Sequence, residues 1–124
     1  MSQIAMNNPS LPLRQIAADV CTAPQLRPES MTEAARAGFR SVVNNRPDFE
    51  EGPHQPTNAS IEAAAKAAGL EYRFLPVDSA YQSPEEIARF AQLMRELPRP
   101  VLLFCRSGAR SMRLYLAATG SNEG

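Results

Sequence analysis

The chain has 124 residues, 44% of them hydrophobic, with 13 acidic and 13 basic side chains. This length and composition predict one globular domain, and the zero net charge argues against nucleic acid or an anionic membrane as the main partner. No stretch approaches the roughly 18 apolar residues of a membrane span, and two cysteines far apart in sequence fit a reduced, cytoplasmic setting. A single histidine, His54, and no His/Cys cluster predict neither a metal site nor a cofactor.

The first half of the chain predicts two short strands, a helix and a longer strand. Residues 1–12 are expected to form a flexible lead-in, followed by strands at 13–16 and 20–23. Pro28 suits the first position of a helix that runs through Ala37 and stops at Gly38. Residues 39–44 are predicted to form a buried strand. Residues 45–56 contain three prolines and several acidic residues, which indicates a long loop.

The second half repeats the order of helix and strand twice and ends on a helix. Thr57 or Ser60 is expected to cap a helix at 59–68, which precedes a strand at 71–77. Ser83 and Glu86 form a predicted capping box at the start of the next helix. The apolar face of that helix is expected to comprise Ile87, Phe90, Ala91, Met94 and Leu97. A wholly apolar strand at 101–104 and a helix at 109–119 follow.

This order predicts an α/β fold with a parallel sheet between two layers of helices. The domain is expected to span residues 13–120, with a tail at 121–124. Ligands of such sheets bind beyond the carboxyl ends of the strands. Three predicted loops begin at those ends: one runs from Asn44 to Asp48, one begins at Asp78 and one begins at Cys105. We therefore expect the three loops to form one site.

The segment from Cys105 to Ser111 has the pattern of an anion-binding loop. A strand delivers Cys105 to a polar loop that contains Gly108 and ends at Arg110, where a helix begins. Backbone amides and the positive end of the helix dipole can surround an anion there. The same field lowers the pKa of a thiol and makes it a better nucleophile. Cys105 is therefore the predicted catalytic nucleophile; the alternative is a buried, inert cysteine.

The spacing of this loop favours sulfur chemistry over phosphate chemistry. Four residues separate Cys105 from Arg110, as in the Cys-Arg-x-Gly-x-Arg/Thr loop of rhodanese-type sulfurtransferases, which this segment resembles. The signature of cysteine-dependent phosphatases also resembles it, but that signature has five intervening residues and a histidine where this chain has Phe104. The shorter loop suits a persulfide or the terminal sulfur of thiosulfate.

Beyond the loop, the stretch from Gly38 to Asp48 resembles the GF-x-x-VIN-x-RP stretch of dual-specificity phosphatases. Together with Cys-Arg-Ser-Gly-Ala-Arg-Ser, it is similar to the bacterial family of beta-lactamase-hydrolase-like, phosphatase-like domains, over residues 13–119. The resemblance implies a fold of the cysteine-phosphatase type with a Cys-x4-Arg loop. Some family members are fused to persulfide dioxygenase domains, which implies a role in sulfur transfer.

The predicted function is sulfur transfer through a Cys105 persulfide, with a small sulfur-containing anion as donor and a thiol as acceptor. Arg110 is expected to bind donor oxyanions; its alternative is a salt bridge to Asp48 or Asp78. Asp78 is the candidate general acid that phosphate-ester hydrolysis requires, or else a turn residue. The remaining predicted binding residues are Arg106, Ser107, Gly108, Ala109, Ser111, Asn45 and Arg46. A phosphatase acting on phosphoesters and a non-catalytic module that binds oxyanions or persulfides are the alternative functions.

Overall fold

The computed structural model of the protein describes residues 11–120. The strands are β1 (Arg14–Ala17), β2 (Val20–Ala23), β3 (Ser41–Asn44), β4 (Glu71–Phe74) and β5 (Val101–Phe104). The helices are α1 (Ser30–Arg36), α2 (Asn58–Ala67), α3 (Pro84–Glu96) and α4 (Ala109–Thr119). The predicted tail and most of the predicted lead-in lie outside the described residues. Leu11, placed in the lead-in by the sequence, is buried in the core.

The strands form one sheet in the order β1-β2-β5-β3-β4. β2, β5, β3 and β4 are parallel, and β1 pairs antiparallel with β2 at one edge. The predicted α/β class is therefore confirmed, with a sheet that is mostly rather than wholly parallel. β5 occupies the centre, with β2 on one side and β3 on the other.

Helices cover both faces of the sheet, because successive side chains of a strand point to opposite faces. Leu102 and Phe104 of β5 pack in a core cluster with residues of α1 and α2. Val101 and Leu103 pack in a second cluster with residues of α3 and α4. The fold thus has the three predicted layers, and both cores meet at β5.

The register of the strands brings their carboxyl ends to one edge. Asn44 is paired with both Phe104 and Phe74, and Ala23 is paired with Phe104. The loops that follow β2, β3 and β5 consequently leave the sheet side by side. This geometry confirms that separate loops converge beyond Cys105.

The ends of several elements differ from the prediction because local hydrogen bonds decide them. α1 begins at Ser30 rather than Pro28, since the Ser30 and Met31 N–H groups donate to Arg27 and Pro28 carbonyls in a turn. The strand predicted at 71–77 ends at Phe74. Beyond it, the Val77 N–H still donates to the Asn45 carbonyl, and Pro76, with no N–H, interrupts the pairing.

The helix caps agree with the sequence. Ser83 Oγ accepts a hydrogen bond from the Glu86 N–H, and Glu86 Oε1 accepts one from the Ser83 N–H, which completes the predicted capping box. Thr57, one of two predicted candidates, caps α2. The buried face of α3 includes Leu93, which was not predicted, beside Phe90 and Met94. No helix within residues 11–120 is long and apolar enough to span a membrane.

Candidate active site

Cys105 lies one residue beyond the central strand and lines a cavity of about 400 Å³. Only 1% of its surface is exposed. The Gly108 N–H donates a hydrogen bond to Cys105 Sγ over 3.1 Å. Gly108 precedes the first residue of α4 and has a φ of 96°, a left-handed conformation that glycine adopts without strain. The loop can therefore fold back so that its amides surround the sulfur.

The N–H groups around Cys105 favour its thiolate form. Burial alone would raise the pKa of the thiol, but hydrogen bonds from the backbone N–H groups of Ser111, Gly108 and Ser107 oppose that effect. Together these donors outweigh burial, and the pKa of Cys105 falls below its usual value. N–H groups in the first turn of a helix have no partner within the helix, so α4 can offer its own to the sulfur.

The second cysteine lacks this environment. Cys21 lies on β2 opposite Leu102, fully buried in the core cluster of α1 and α2. Burial raises the pKa of its thiol to about 11. The two thiols are not joined in a disulfide. Of the two, Cys105 is the one suited to act as a nucleophile.

Arg110 lies in the same cavity and is held along one edge by a carboxylate. Its Nη1 donates to Glu50 Oε2 over 3.1 Å, and its Nη2 donates to Glu50 Oε1 over 3.2 Å. Nη1 also donates to the Val77 carbonyl over 3.1 Å. Arg110 is 5% exposed, and its Nε has no hydrogen-bond partner among residues 11–120. The guanidinium is thus fixed in orientation while one buried N–H donor stays available.

Arg46 holds the carboxylate that pairs with Arg110. Its Nε donates to Glu50 Oε1 over 2.8 Å, and its Nη1 donates to Gln25 Oε1 over 3.0 Å. Its Nη2 lies 3.2 Å from Glu51 Oε1 in an ion pair without hydrogen-bond geometry. Arg46 was predicted to bind substrate; it lines the cavity, but its guanidinium is engaged in holding Glu50 and Glu51.

Glu50 was missed by the sequence analysis, which named Asp48 and Asp78 as possible partners of Arg110. Burial would raise the pKa of Glu50, but hydrogen bonds from Arg110 and Arg46 lower it below the usual value. Asp48 instead accepts a hydrogen bond from the Asn58 N–H at the start of α2. The spacing of Arg46 and Glu50, four residues apart in an acidic loop, was the available signal.

Asn45 and Ser111 lie beneath the loop rather than in the cavity. Both are fully buried, and neither lines the cavity with Cys105. The Ser111 hydroxyl donates to Asn45 Oδ1 over 2.8 Å, and Asn45 Nδ2 donates to the Leu75 carbonyl over 2.9 Å. The structure thus gives these two predicted binding residues a supporting position: they join α4 to the exits of β3 and β4.

The other predicted loop residues lie around the cavity. Arg106, Ser107 and Ala109 are exposed and line it, whereas Gly108 is buried. Arg106 forms an ion pair with Glu51 over 3.3 Å, and both side chains are more than half exposed. Exposed pairs of this kind contribute little to stability.

The structure gives the carboxylate of Asp78 a turn contact. Asp78 is exposed, and its Oδ1 accepts a hydrogen bond from the Ala80 N–H over 2.7 Å. Its neighbour Ser79 lines the cavity, and Arg113 Nη2 donates to the Ser79 carbonyl. The loop that contains Asp78 and Ser79 therefore reaches the site. Asp78 itself has the geometry of a turn residue, which was the alternative to its predicted role as general acid.

Known proteins resemble this chain in sequence and in fold. Beta-lactamase hydrolase-like proteins of Agrobacterium fabrum and Xylella fastidiosa are 43% identical to it over 79 and 81 residues. The matches cover 64% and 65% of this chain but only 18% and 19% of those relatives. The chain thus spans less than a fifth of their length.

Solved structures share its fold. A candidate phosphatase of Neisseria meningitidis is 29% identical, with a TM-score of 0.74 over 83% of this chain and 72% of that one. A candidate DUF442 phosphatase of Shewanella putrefaciens is 21% identical, with a TM-score of 0.75 over 90% and 73%. Tk-PTP in its active form, 21% identical, has a TM-score of 0.58 over 90% and 82%. The fold is therefore that of cysteine-dependent phosphatases.

One family matches nearly the whole chain. Its sequence profile matches residues 12–121, a range that contains Cys105, Arg110 and Glu50. The predicted resemblance is confirmed: the chain belongs to the family of the phosphatase-like domain of beta-lactamase hydrolase-like proteins.

Proposed function

We propose that the domain hydrolyses phosphate monoesters through a covalent intermediate on Cys105. One observation carries the proposal: a thiol of lowered pKa shares a cavity with a buried arginine that is clamped in place and retains an unpartnered Nε–H. A nucleophile and a fixed oxyanion donor are the two groups that displacement at phosphorus requires. Membership of a phosphatase-like family and the fold shared with Tk-PTP support the same chemistry.

The reaction consists of two displacements at phosphorus. The Cys105 thiolate attacks the phosphorus atom and forms an S–P bond while the P–O bond to the leaving alcohol breaks. Water then attacks the phosphocysteine, and the S–P bond breaks to release inorganic phosphate and the thiolate. The N–H groups that stabilise the thiolate at the start stabilise it again as the leaving group of the second step.

Arg110 stabilises the charge on the phosphoryl oxygens in both steps. Its orientation is set by the two hydrogen bonds to Glu50 and by the one to the Val77 carbonyl. Because these contacts exist before substrate binds, the guanidinium does not have to reorganise during the reaction. The buried position strengthens its interaction with an anion, since little solvent screens it.

Protonation of the leaving group distinguishes possible substrates. Asp78 is engaged in its turn, and the carboxylates that line the cavity, Glu50 and Glu51, are both paired with arginines. Each carboxylate in the described lining of the cavity is therefore engaged with an arginine, and none is positioned by the structure as a donor to the leaving oxygen. We expect aryl phosphates, whose leaving groups need little protonation, to react much faster than alkyl phosphates.

Sulfur transfer is the second candidate, because the same cavity wall and the six-position loop favour it. The Cys105 thiolate would attack the outer sulfur of thiosulfate, the S–S bond would break, and sulfite would leave without needing a proton. A thiolate acceptor would then take the outer sulfur of the persulfide and release the Cys105 thiolate. Phe104 stands where phosphatases carry histidine, and this departure from the phosphatase signature also favours sulfur transfer.

A paired assay of the protein and its Cys105→Ser variant decides between the two candidates. One arm measures hydrolysis of an aryl phosphate, and the other measures thiocyanate formation from thiosulfate and cyanide. Cys105-dependent hydrolysis without sulfur transfer supports the phosphatase, and the reverse result supports the sulfurtransferase. If neither reaction depends on Cys105, both candidates are wrong and a binding role for the loop gains support.

A further inference from the structure

A second cavity adjoins the site on the other side of the Cys105 loop. It measures about 330 Å³, within the range of roughly 300–1,000 Å³ typical of small-molecule sites. Ser107, Ala109 and Arg113 line both this cavity and the one that contains Cys105. The two cavities therefore meet at these three residues, which are exposed, so a ligand bound at Cys105 would pass over them to enter the second cavity. We refer to the second cavity as the side cavity.

The walls of the side cavity are mainly apolar. They include Ala23, the last residue of β2, Pro24, which follows it, and Met112 of α4. Unlike the Cys105 cavity, which is lined by Glu50 and Glu51 as well as by arginines, the side cavity has no acidic residue in its described lining. Its charged residues are Arg14 of β1 and the shared Arg113.

From this lining we infer the substrate class of the proposed phosphatase: an aryl phosphate whose ring occupies the side cavity and carries a second acidic group that is bound by Arg14. The inference rests on the proposed function. Apolar walls suit the ring, and an arginine with no neighbouring carboxylate in the lining suits a carboxylate of the ligand. Arg113 has its Nη2 engaged with the Ser79 carbonyl, so Arg14 is the residue assigned to the second charge.

Binding of two phosphonates tests this assignment without requiring turnover. The probes are phenylphosphonate and 4-carboxyphenylphosphonate, and the protein is the full chain with Cys105→Ser, studied by calorimetry. We expect the carboxylated probe to bind at least about threefold more tightly, as an exposed charge pair would provide. Adding Arg14→Gln should abolish this preference while leaving the affinity for phenylphosphonate unchanged.

The control is Arg89→Gln, which removes the same charge from α3, at an exposed position that lines none of the cavities described. It should keep the preference for the carboxylated probe. Equal affinities for the two probes, or a preference that survives Arg14→Gln, would overturn the inference while phosphonate binding itself still supports the phosphoryl site. If neither phosphonate binds, the phosphoryl site fails, and the inference fails with it.

The apolar wall has its own test. Met112→Gln keeps the length of the side chain but replaces its thioether with an amide. It should weaken phenylphosphonate relative to methylphosphonate, because only the aryl probe reaches the side cavity. An unchanged ratio of the two affinities would place the ring elsewhere and overturn this part of the assignment.

Discussion

Glu50 connects two buried arginines, and the position of the Arg110 guanidinium depends on it. Its two carboxylate oxygens accept hydrogen bonds from Arg110 and Arg46, which are 5% and 2% exposed. Burying a cation is costly unless an anion pairs with it. Glu50 therefore both offsets that cost and fixes the orientation of Arg110 in the Cys105 cavity.

Replacing Glu50 with glutamine tests this role. The amide keeps the size of the side chain but loses the charge and one acceptor. We expect kcat/KM for an aryl phosphate to fall by about tenfold or more and the unfolding free energy to fall by about 1–2 kcal/mol, less than for a fully buried pair because Glu50 is partly exposed. Steady-state kinetics and urea unfolding provide the measurements. Glu51→Gln, at a carboxylate that is 54% exposed, is the control and should change both quantities little.

The lowered pKa of Cys105 predicts how its alkylation depends on pH. Iodoacetamide reacts with the thiolate, so the midpoint of the rate profile should lie below the usual cysteine value of about 8.5. Ser111→Ala removes the hydroxyl that donates to Asn45 Oδ1 and holds the first turn of α4 to the exit of β3. The Ser111 N–H is then held less firmly against Cys105, so the midpoint should rise. Mass spectrometry can follow each cysteine separately. Cys21 should stay unmodified in the folded protein, and a Cys105 midpoint at or above the usual value would contradict the assignment.

The sequence predicts that the loop residues lie together because they are close in the chain. Cys105, Gly108 and Arg110 lie within six positions. Their spacing led to a prediction of sulfur transfer, whereas the family and fold support phosphatase chemistry better, so spacing alone does not specify the reaction. Glu50 reaches Arg110 across 60 residues, and its position depends on the path of a loop in which Phe49 adopts a φ of 62°. No local pattern encodes such a pairing. The same reason explains why Asn45 was predicted to touch substrate, although it lies under the loop.

At the scale of the element, the start of α4 joins fold and chemistry. The first turn of this helix supplies N–H groups to Cys105. The left-handed backbone of Gly108 turns the loop so that these N–H groups point at the sulfur. The starts of α3 and α2 are instead closed by the side chains of Ser83 and Thr57, and α1 has no side-chain cap. Helix boundaries with caps could be predicted to within one or two residues. The bounds of β2 and β5 are also those predicted, and β1 is shifted by one residue, whereas β3 begins two residues later and β4 ends three residues earlier than predicted.

Gly108→Ala tests whether the left-handed backbone at Gly108 is needed to place the N–H groups around Cys105. A Cβ there would lie 3.5 Å from the Ala23 carbonyl oxygen, an ordinary contact, so the cost arises from the left-handed backbone. We expect a loss of about 1–2 kcal/mol in unfolding free energy, and slower alkylation of Cys105 because its N–H donor shifts. Gly69→Ala is the matched control, with a φ of 82° and no atom within 4 Å. It should cost similar stability and leave alkylation unchanged; equal effects of both variants on alkylation would contradict a specific role for Gly108.

At the scale of the whole molecule, the fold places the site where both cores meet. β5 contributes to the clusters on both faces, and the loop after it is anchored through Gln25, whose N–H donates to the Arg106 carbonyl. The sequence predicted the layers and the convergence of loops, because apolar strands and amphipathic helices alternate regularly. The pairing of β2 with β5, and β1 as an antiparallel edge, were not predictable from strand patterns alone.

Stability should depend on pH through Glu50. Its pKa is lower in the folded protein than in the unfolded chain, so the unfolded state binds more protons as the pH falls. The contribution of Glu50 is therefore complete above the usual glutamate value of about 4.3 and is lost as the pH falls through the folded value. Urea unfolding of the protein and of Glu50→Gln between pH 7 and 3 should show a difference that narrows in acid. A constant difference would show that proton binding at Glu50 is not linked to folding.

The central position of β5 also has a consequence for biosynthesis. β5 follows the other four strands in chain order, yet β2 and β3 each pair with it and not with one another. Until β5 emerges, the growing polypeptide can form only the pairs β1–β2 and β3–β4, which remain unconnected to each other. The nucleophile emerges immediately after β5, so an interrupted translation product that lacks β5 also lacks the reactive sulfur.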